Sequence, residues 1–465
     1  MREKRAVLFL LFVLCFILVT NPIVEATFPT PPSYPSPRIF IKSDGSIDPP
    51  SAPIHRDGDI YTLTDNIVGY SIVVDKDNII LDGGGYTLRG FGSKDNFSLE
   101  GMTDPTGVLI LQHNGITVRN MRISGFTYGI KISKLYTIAC RNNVLENNTV
   151  TDNYYGIYMS ASWFTVLRNN QMSNNVCNFY LYDFVEMLNP DSDLFLNDID
   201  STNTVDGKPI IYWVNEQDKM VPSDAGYVAL VNCTNMIVQN LNLTDNGQGI
   251  LLAYTTNSLI TQNHVNHTDW GIFAYNSSNL LITKNNLENN DVGIRVVRNS
   301  NKNTISENLI ADNSNGIDIS YDSIYVSVFG NMIADNEGWG LLVYSYDNLI
   351  YNNSFLNNNI EGGLQVRILT DEDMPSGNMW DNGIIGNYWS DYTTRYPNAT
   401  EIDDSGIGDT PFRLSANDTD RYPIMETDVI PEIPSWLILP LFLTATLTAI
   451  VVKKRLYKNL GEGLK

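Results

Sequence analysis

Gly249-Ile-Leu-Leu-Ala-Tyr254, Gly271-Ile-Phe-Ala-Tyr275, Gly293-Ile-Arg-Val-Val297, Gly316-Ile-Asp-Ile-Ser320, Gly340-Leu-Leu-Val-Tyr344 and Gly363-Leu-Gln-Val-Arg367 are one phrase repeated. The glycines step by 22, 22, 23, 24 and 23 residues. Inside each phrase apolar residues alternate: Ile250, Ile272, Ile294, Ile317, Leu341 and Leu364 first, then Leu252, Ala274, Val296, Ile319, Val343 and Val366. Period-2 alternation sends these rows to one face of a strand and the residues between them to the other. One short strand cannot bury its apolar face alone, so a coil-length repeat must stack, strand on parallel strand. Earlier copies begin at Gly129 and Gly156, with Asn178 in the glycine place one coil later.

A second row holds the same register. Asn263, Asn285, Asn308, Asn331 and Asn353 step by 22, 23, 23 and 22, and Asn148 and Asn170 by 22. An apolar residue follows two places on, from Val150 and Met172 to Ile333 and Phe355. Asn suits the turns of a coil corner, and its amides bond from coil to coil when stacked in register. Helical apolar spacing is missing. The fold expected is all-β, a right-handed parallel β-helix.

Outward from the repeat, residues 1–26 read as a signal peptide: Arg2, Lys4 and Arg5, an apolar run from Ala6 to Val19, and small residues at Val24-Glu25-Ala26. Residues 27–53 form a Pro-rich arm, 54–370 the β-helix with its register broken by loops or a hairpin at 183–227, and 371–425 an aromatic-rich C-terminal cap. A linker, 426–435, leads to 436–452, an uncharged run near the lower limit of about 17 residues for a membrane-spanning helix. Lys453, Lys454 and Arg455 open a tail, 453–465, expected on the cytoplasmic side. The body is therefore expected outside the cytoplasm, held by its C-terminal transmembrane helix.

The net charge of −22 argues against nucleic acid as a partner, which would need a basic face. Beyond Cys15 of the signal, Cys140, Cys177 and Cys233 have no metal-type spacing. Cys140 and Cys233 each lie 16 residues before a repeat glycine, on coils too far apart for a bridge, so free thiols are expected. Glycosylation sequons recur at Asn96, Asn147, Asn232, Asn242, Asn266, Asn276, Asn352, Asn398 and Asn417.

Three further segments, Asp206-Gly-Lys-Pro-Ile210, Gly386-Asn-Tyr-Trp-Ser-Asp-Tyr392, and Asp403-Asp-Ser-Gly-Ile-Gly-Asp-Thr-Pro-Phe412 with Asp420-Arg-Tyr-Pro-Ile424, carry a resemblance. With the coils they resemble the carbohydrate-binding and sugar-hydrolase type repeats of NosD, the periplasmic copper-binding accessory family of nitrous oxide reductase maturation. The anchored tail is similar to that of surface-anchored archaeal relatives. The resemblance implies copper as cofactor and a role in maturing an exported copper enzyme. The residues themselves do not group copper donors: of His55, His113, His264 and His267, the last two fall on opposite faces. Asp403, Asp404 and Asp409, with Gly406 and Gly408 between, form an acidic loop that is a candidate calcium site.

On the outward rows stand Tyr158, Tyr180, Tyr182, Phe273, Tyr275, Arg295, Asp318, Tyr344 and Arg367. Flat aromatic surface with polar tips suits sugar rings or a protein surface. Arg295 and Asp318, on successive coils, are the weak catalytic candidates. No stack of carboxylates stands beside them on those rows, so the expected function is non-catalytic binding of glycans or partner proteins at the cell surface. A polysaccharide lyase or glycoside hydrolase is the alternative.

Overall fold

The computed structural model describes residues 37–92, 105–134, 140–181, 195–359, 362–368 and 377–425. The signal, residues 27–36 of the arm, Tyr182, residues 183–194, 371–376, the linker, the apolar run 436–452 and the tail lie outside them. Among the described residues no helix is long and apolar enough to cross a membrane.

The chain winds into coils of three short strands each. The alternating rows point inward: Ile250, Ile272, Ile294, Ile317 and Leu341 are fully buried, and their strands pair in parallel, residue on like residue. Solenoid winding begins earlier than expected. Arg38–Ile41, inside the stretch expected to be an arm, pairs in parallel with Ser71–Val74.

Asparagine ladders hold the corners. Nδ2 of Asn263 donates to Oδ1 of Asn285 at 2.9 Å, Asn285 to Asn308 at 3.0 Å, Asn308 to Asn331 at 2.9 Å and Asn331 to Asn353 at 2.8 Å. Each amide also reaches a backbone carbonyl of the preceding coil, as Asn308 does to Ile282 at 3.0 Å. The ladder asparagines are buried, so every such bond satisfies a polar group that would otherwise be desolvated without a partner. The left-handed backbone falls one residue before the ladder, at Asn147, Gln262, Lys284 and Glu307. Ladder asparagines are thus selected for their amides, and the turn conformation falls to their neighbours.

The largest departure from expectation lies at the register break. Coils up to Thr204–Val205 form a first stack. Asp206 and Gly207, both at positive φ, then reverse the chain, and Val205 faces Lys208 in an antiparallel pair. Lys208–Val214 opens a second stack by pairing in parallel with Tyr227–Val231. The Gly-led sheet of this stack lays its outer face across the open end of the first. Ala229, Val231, Leu251, Ala253, Phe273, Tyr275 and Val297 pack in one cluster with Phe179, Leu181, Phe195, Ile199 and Val205. The inner faces of the same strands belong to a separate core containing Leu230, Ile250, Leu252, Ile272 and Val296. A solenoid end exposes its apolar interior and must be capped. Here one stack caps the other, and the molecule bends at an elbow. Gly247 marks a close approach: a Cβ there would stand 2.4 Å from the Tyr180 ring.

Beyond the fifth phrase the register slips by two. Leu341 pairs with Val366 and Leu342 with Arg367, and the amide of Gly340 bonds the carbonyl of Gln365. Gly363 therefore does not continue the glycine column, because a wide turn at Gly362 and Gly363 (φ 101° and 138°) takes up the extra residues. The far end is closed by stacked rings, Phe355 on Trp389 and Trp389 on Phe412, each pair 4.5 Å between centroids. Asp420, fully buried, accepts hydrogen bonds from the Asn387 amide (2.7 Å), Trp389 Nε1 (2.9 Å) and the Tyr422 amide (3.1 Å). The Gly386-to-Tyr392 and Asp420-to-Ile424 segments are thus halves of one lock, and a Cβ on Gly386 would strike the Asp420 carboxylate.

Candidate functional site

The elbow brings two coil corners face to face. From the first stack come Tyr154, Tyr155, Asn175 and Cys177; from the second, Asp245, Asn246, His267, Thr268, Asp269 and Asp291, with Asp206 of the reversing hairpin between them. They line a crease of about 860 Å³. Asp269 and Asp291 each follow a ladder position, Thr268 and Asn290, and lie on adjacent coils, the Asp291 amide bonding the Thr268 carbonyl at 3.0 Å.

Burial pushes Asp269 up to about 7, and the charge of Asp291 adds to the shift. Burial also raises Asp291. Among the described residues no lysine or arginine lines the crease to offset these charges. The Tyr155 phenol and the Cys177 thiol are likewise raised, chiefly by burial. One carboxyl with a neutral form accessible near pH 7 beside a second carboxylate is an arrangement that can donate and accept protons.

Next to the crease runs an aromatic tract. On the first stack Tyr128 stacks on Tyr155 (centroids 5.0 Å, planes 9° apart) and Tyr158 on Tyr180 (4.6 Å, 8°). Tyr180 meets Trp270 of the second stack at 6.3 Å, and Trp270 meets Phe273 at 4.8 Å. Lys131 Nζ stands 3.8 Å above Tyr128, and the Arg295 guanidinium 5.0 Å from the Trp270 centroid.

Of the residues expected on an exposed binding face, Tyr158 is half-buried in this tract and Tyr344 is exposed. Tyr180 is buried beside Trp270. Phe273 and Tyr275 are not on a surface: at 0 and 1% exposure they are core of the junction, since the first stack covers them. Tyr182 lies outside the described residues. Arg295 and Asp318 do pair across coils, Nε to Oδ2 at 3.1 Å, poorly aligned for a hydrogen bond, and burial raises Asp318 despite the arginine. Arg367 stands one coil beyond Leu342 in the same column as this pair, two places from where the glycine spacing put it. Asp409 is held by Thr400 and Thr410, while Asp403 and Asp404 are exposed on the left-handed turn before it. Sequence reasoning missed Asp269 and Asp291. The available signal was an Asp two residues before Gly271 and again before Gly293.

Residues 202–394 match the family described as periplasmic copper-binding protein (NosD), and residues 63–189 match the right-handed beta helix region. The chain is a right-handed β-helix that resembles NosD over residues 202–394. Solved structures similar to this NosD-like chain include the Dettilon tailspike protein (13% identity over 69% of this chain and 62% of that one, TM-score 0.28). Others are the periplasmic alginate epimerase AlgG (13%, 70% and 81%, 0.30) and a DFA-IIIase from Arthrobacter chlorophenolicus A6 without its lid (10%, 67% and 75%, 0.24). The match spans less than two thirds of the tailspike's length. No curated protein sequence matches.

Copper does not fit the donors present. Both ring nitrogens of His113 are engaged, by Asp77 at 2.9 Å and Asp75 at 3.1 Å, and His264 Nε2 lies 3.0 Å from Asn266. Among the described residues no three His, Cys, Asp or Glu side chains converge as a metal site. Cys140, Cys177 and Cys233 are free and buried.

Proposed function

We propose that this protein binds carbohydrate at its elbow, outside the cytoplasm, tethered by the apolar run 436–452. The observation that carries the reading is the tract Tyr128, Tyr155, Tyr158, Tyr180 and Trp270, which crosses the inner corner from one stack to the other beside a polar crease. Tyr128, Tyr155 and Tyr158, partly exposed over buried Tyr180 and Trp270, offer apolar ring surface, and the crease supplies hydroxyl partners in Asn246, Thr268 and the carboxylates. The export signal and the basic cluster after residue 452 support the placement.

The test is a glycan array with the intact chain in detergent, repeated with Tyr158→Ala and Tyr128→Ala, both partly exposed rings. Each ring contributes on the order of 1 kcal/mol, so affinity should fall about fivefold to tenfold per substitution. Unchanged binding in both variants would overturn the reading.

A further inference from the structure

The following rests on the carbohydrate reading of the elbow and deepens it. We propose that the crease hydrolyses a glycosidic bond of a neutral polysaccharide, with Asp269 as proton donor and Asp291 as its partner carboxylate.

The backbone places the pair. Asp269 and Asp291 occupy one column on consecutive coils. Coils repeat about every 4.8 Å, close to the roughly 5–5.5 Å between carboxyls that double displacement uses. The two stand where the first stack presents Tyr154 and Tyr155. Asp269 is partly covered, which favours its protonated form. Asp291 is the more exposed of the two to solvent, although burial raises it as well.

Two observations other than the acids point to a ligand. Asn246, 1% exposed, lines the crease, and its Oδ1 accepts no hydrogen bond; it heads its ladder at the elbow, where an entering hydroxyl would supply the missing donor. The aromatic tract runs up to the same place, since Tyr155 belongs to both. Charge selects the substrate class. With Asp206, Asp245, Asp269 and Asp291 on its walls, and no lysine or arginine there among the described residues, the crease repels uronates and sulfated sugars.

The chemistry balances with water alone. Asp269 gives its proton to the glycosidic oxygen, the C1–O bond breaks, and the leaving sugar departs as an alcohol while a carboxylate oxygen of Asp291 bonds to C1. Water then attacks C1, its proton passes to Asp269, and the C1–Asp291 bond breaks. One water is consumed and one hemiacetal is released with its configuration retained.

The experiment incubates the intact, detergent-solubilised chain with neutral polysaccharides (xylan, mixed-linkage glucan, mannan, chitin) and measures binding and new reducing ends side by side. Release of reducing ends is expected, with kcat falling about 100- to 10,000-fold in Asp269→Asn while binding of the intact polymer is kept. The kcat of the wild type should decline above pH 7 as Asp269 ionises. Asp291→Asn should also abolish turnover, and NMR of the first product should show retention. Binding without any release of reducing ends would overturn the inference and leave the binding reading standing. Turnover undiminished in a folded Asp269→Asn protein would also overturn it, and absence of binding to every glycan would overturn both.

Discussion

The Gly-led sheet of the second stack has two ends that do different work with the same register. From Tyr227 to Tyr275 both faces are apolar: Leu230, Ile250 and Ile272 point into their own stack, and Ala229, Leu251 and Phe273 into the other. From Val292 onward the outer positions of the same column become Arg295, Asp318, Leu342 and Arg367: Arg295 is part-covered, Asp318 and Leu342 are buried, and Arg367 is exposed. The comparison teaches that a repeat places side chains in columns, while what covers a column decides whether its residues act as core or as surface.

Breaking the covered end should have the largest effect. Phe273→Ala opens a cavity in the junction, and a loss of about 3–5 kcal/mol is expected in denaturant unfolding. Tyr344→Ala, three coils away and exposed, should stay within about 0.5 kcal/mol. Equal effects would erase the distinction between the two ends.

A ladder substitution tests what both ends share. Asn308→Leu removes the bonds to Asn331 and Ile282 and leaves the Asn285 amide without its acceptor, for a loss of about 1–3 kcal/mol. The same measurement reads it out.

The far cap should respond to pH. Burial raises Asp420 from 3.8 to about 7 in the fold, despite three N–H donors. The folded state therefore binds more protons than the unfolded one between these values, and stability falls as pH rises through that window. Thermal unfolding at pH 5 and pH 8 should show the intact chain less stable at pH 8. Asp420→Asn should flatten that slope.

A smaller effect is expected at Arg295. Its pair with Asp318 is largely covered, at 15 and 12% side-chain exposure, and Arg295→Ala should cost about 1–2 kcal/mol, since Asp318 can take up a proton once its partner is gone. A loss above about 3 kcal/mol would mean that Asp318 stays charged without its partner.

The winding was legible because ladders demand identical spacing, as the Asn263-to-Asn353 and Gly249-to-Gly340 rows show. The elbow was harder, because it depends on two residues, Asp206 and Gly207, that look like any turn. A signal existed in Tyr227-Val-Ala-Leu-Val231 and Ile250-Leu-Leu-Ala253, unbroken apolar runs of the kind that strands buried on both faces show. Reading Phe273 and Tyr275 as surface followed from applying one-faced alternation to a two-faced strand. The crease was missed for a related reason: Asp269 and Asp291 lie at corners, outside the strand rows, and gain their character only from Tyr154 and Tyr155 on another stack.

Thiol labelling tests the elbow most directly, because the natural cysteines among the described residues are buried. Cysteine placed at Ala253, outward on the covered end, should react with a maleimide only on unfolding, whereas cysteine at Tyr344 should react at once in the native protein. Equally rapid native labelling at both positions would contradict the capping of one stack by the other.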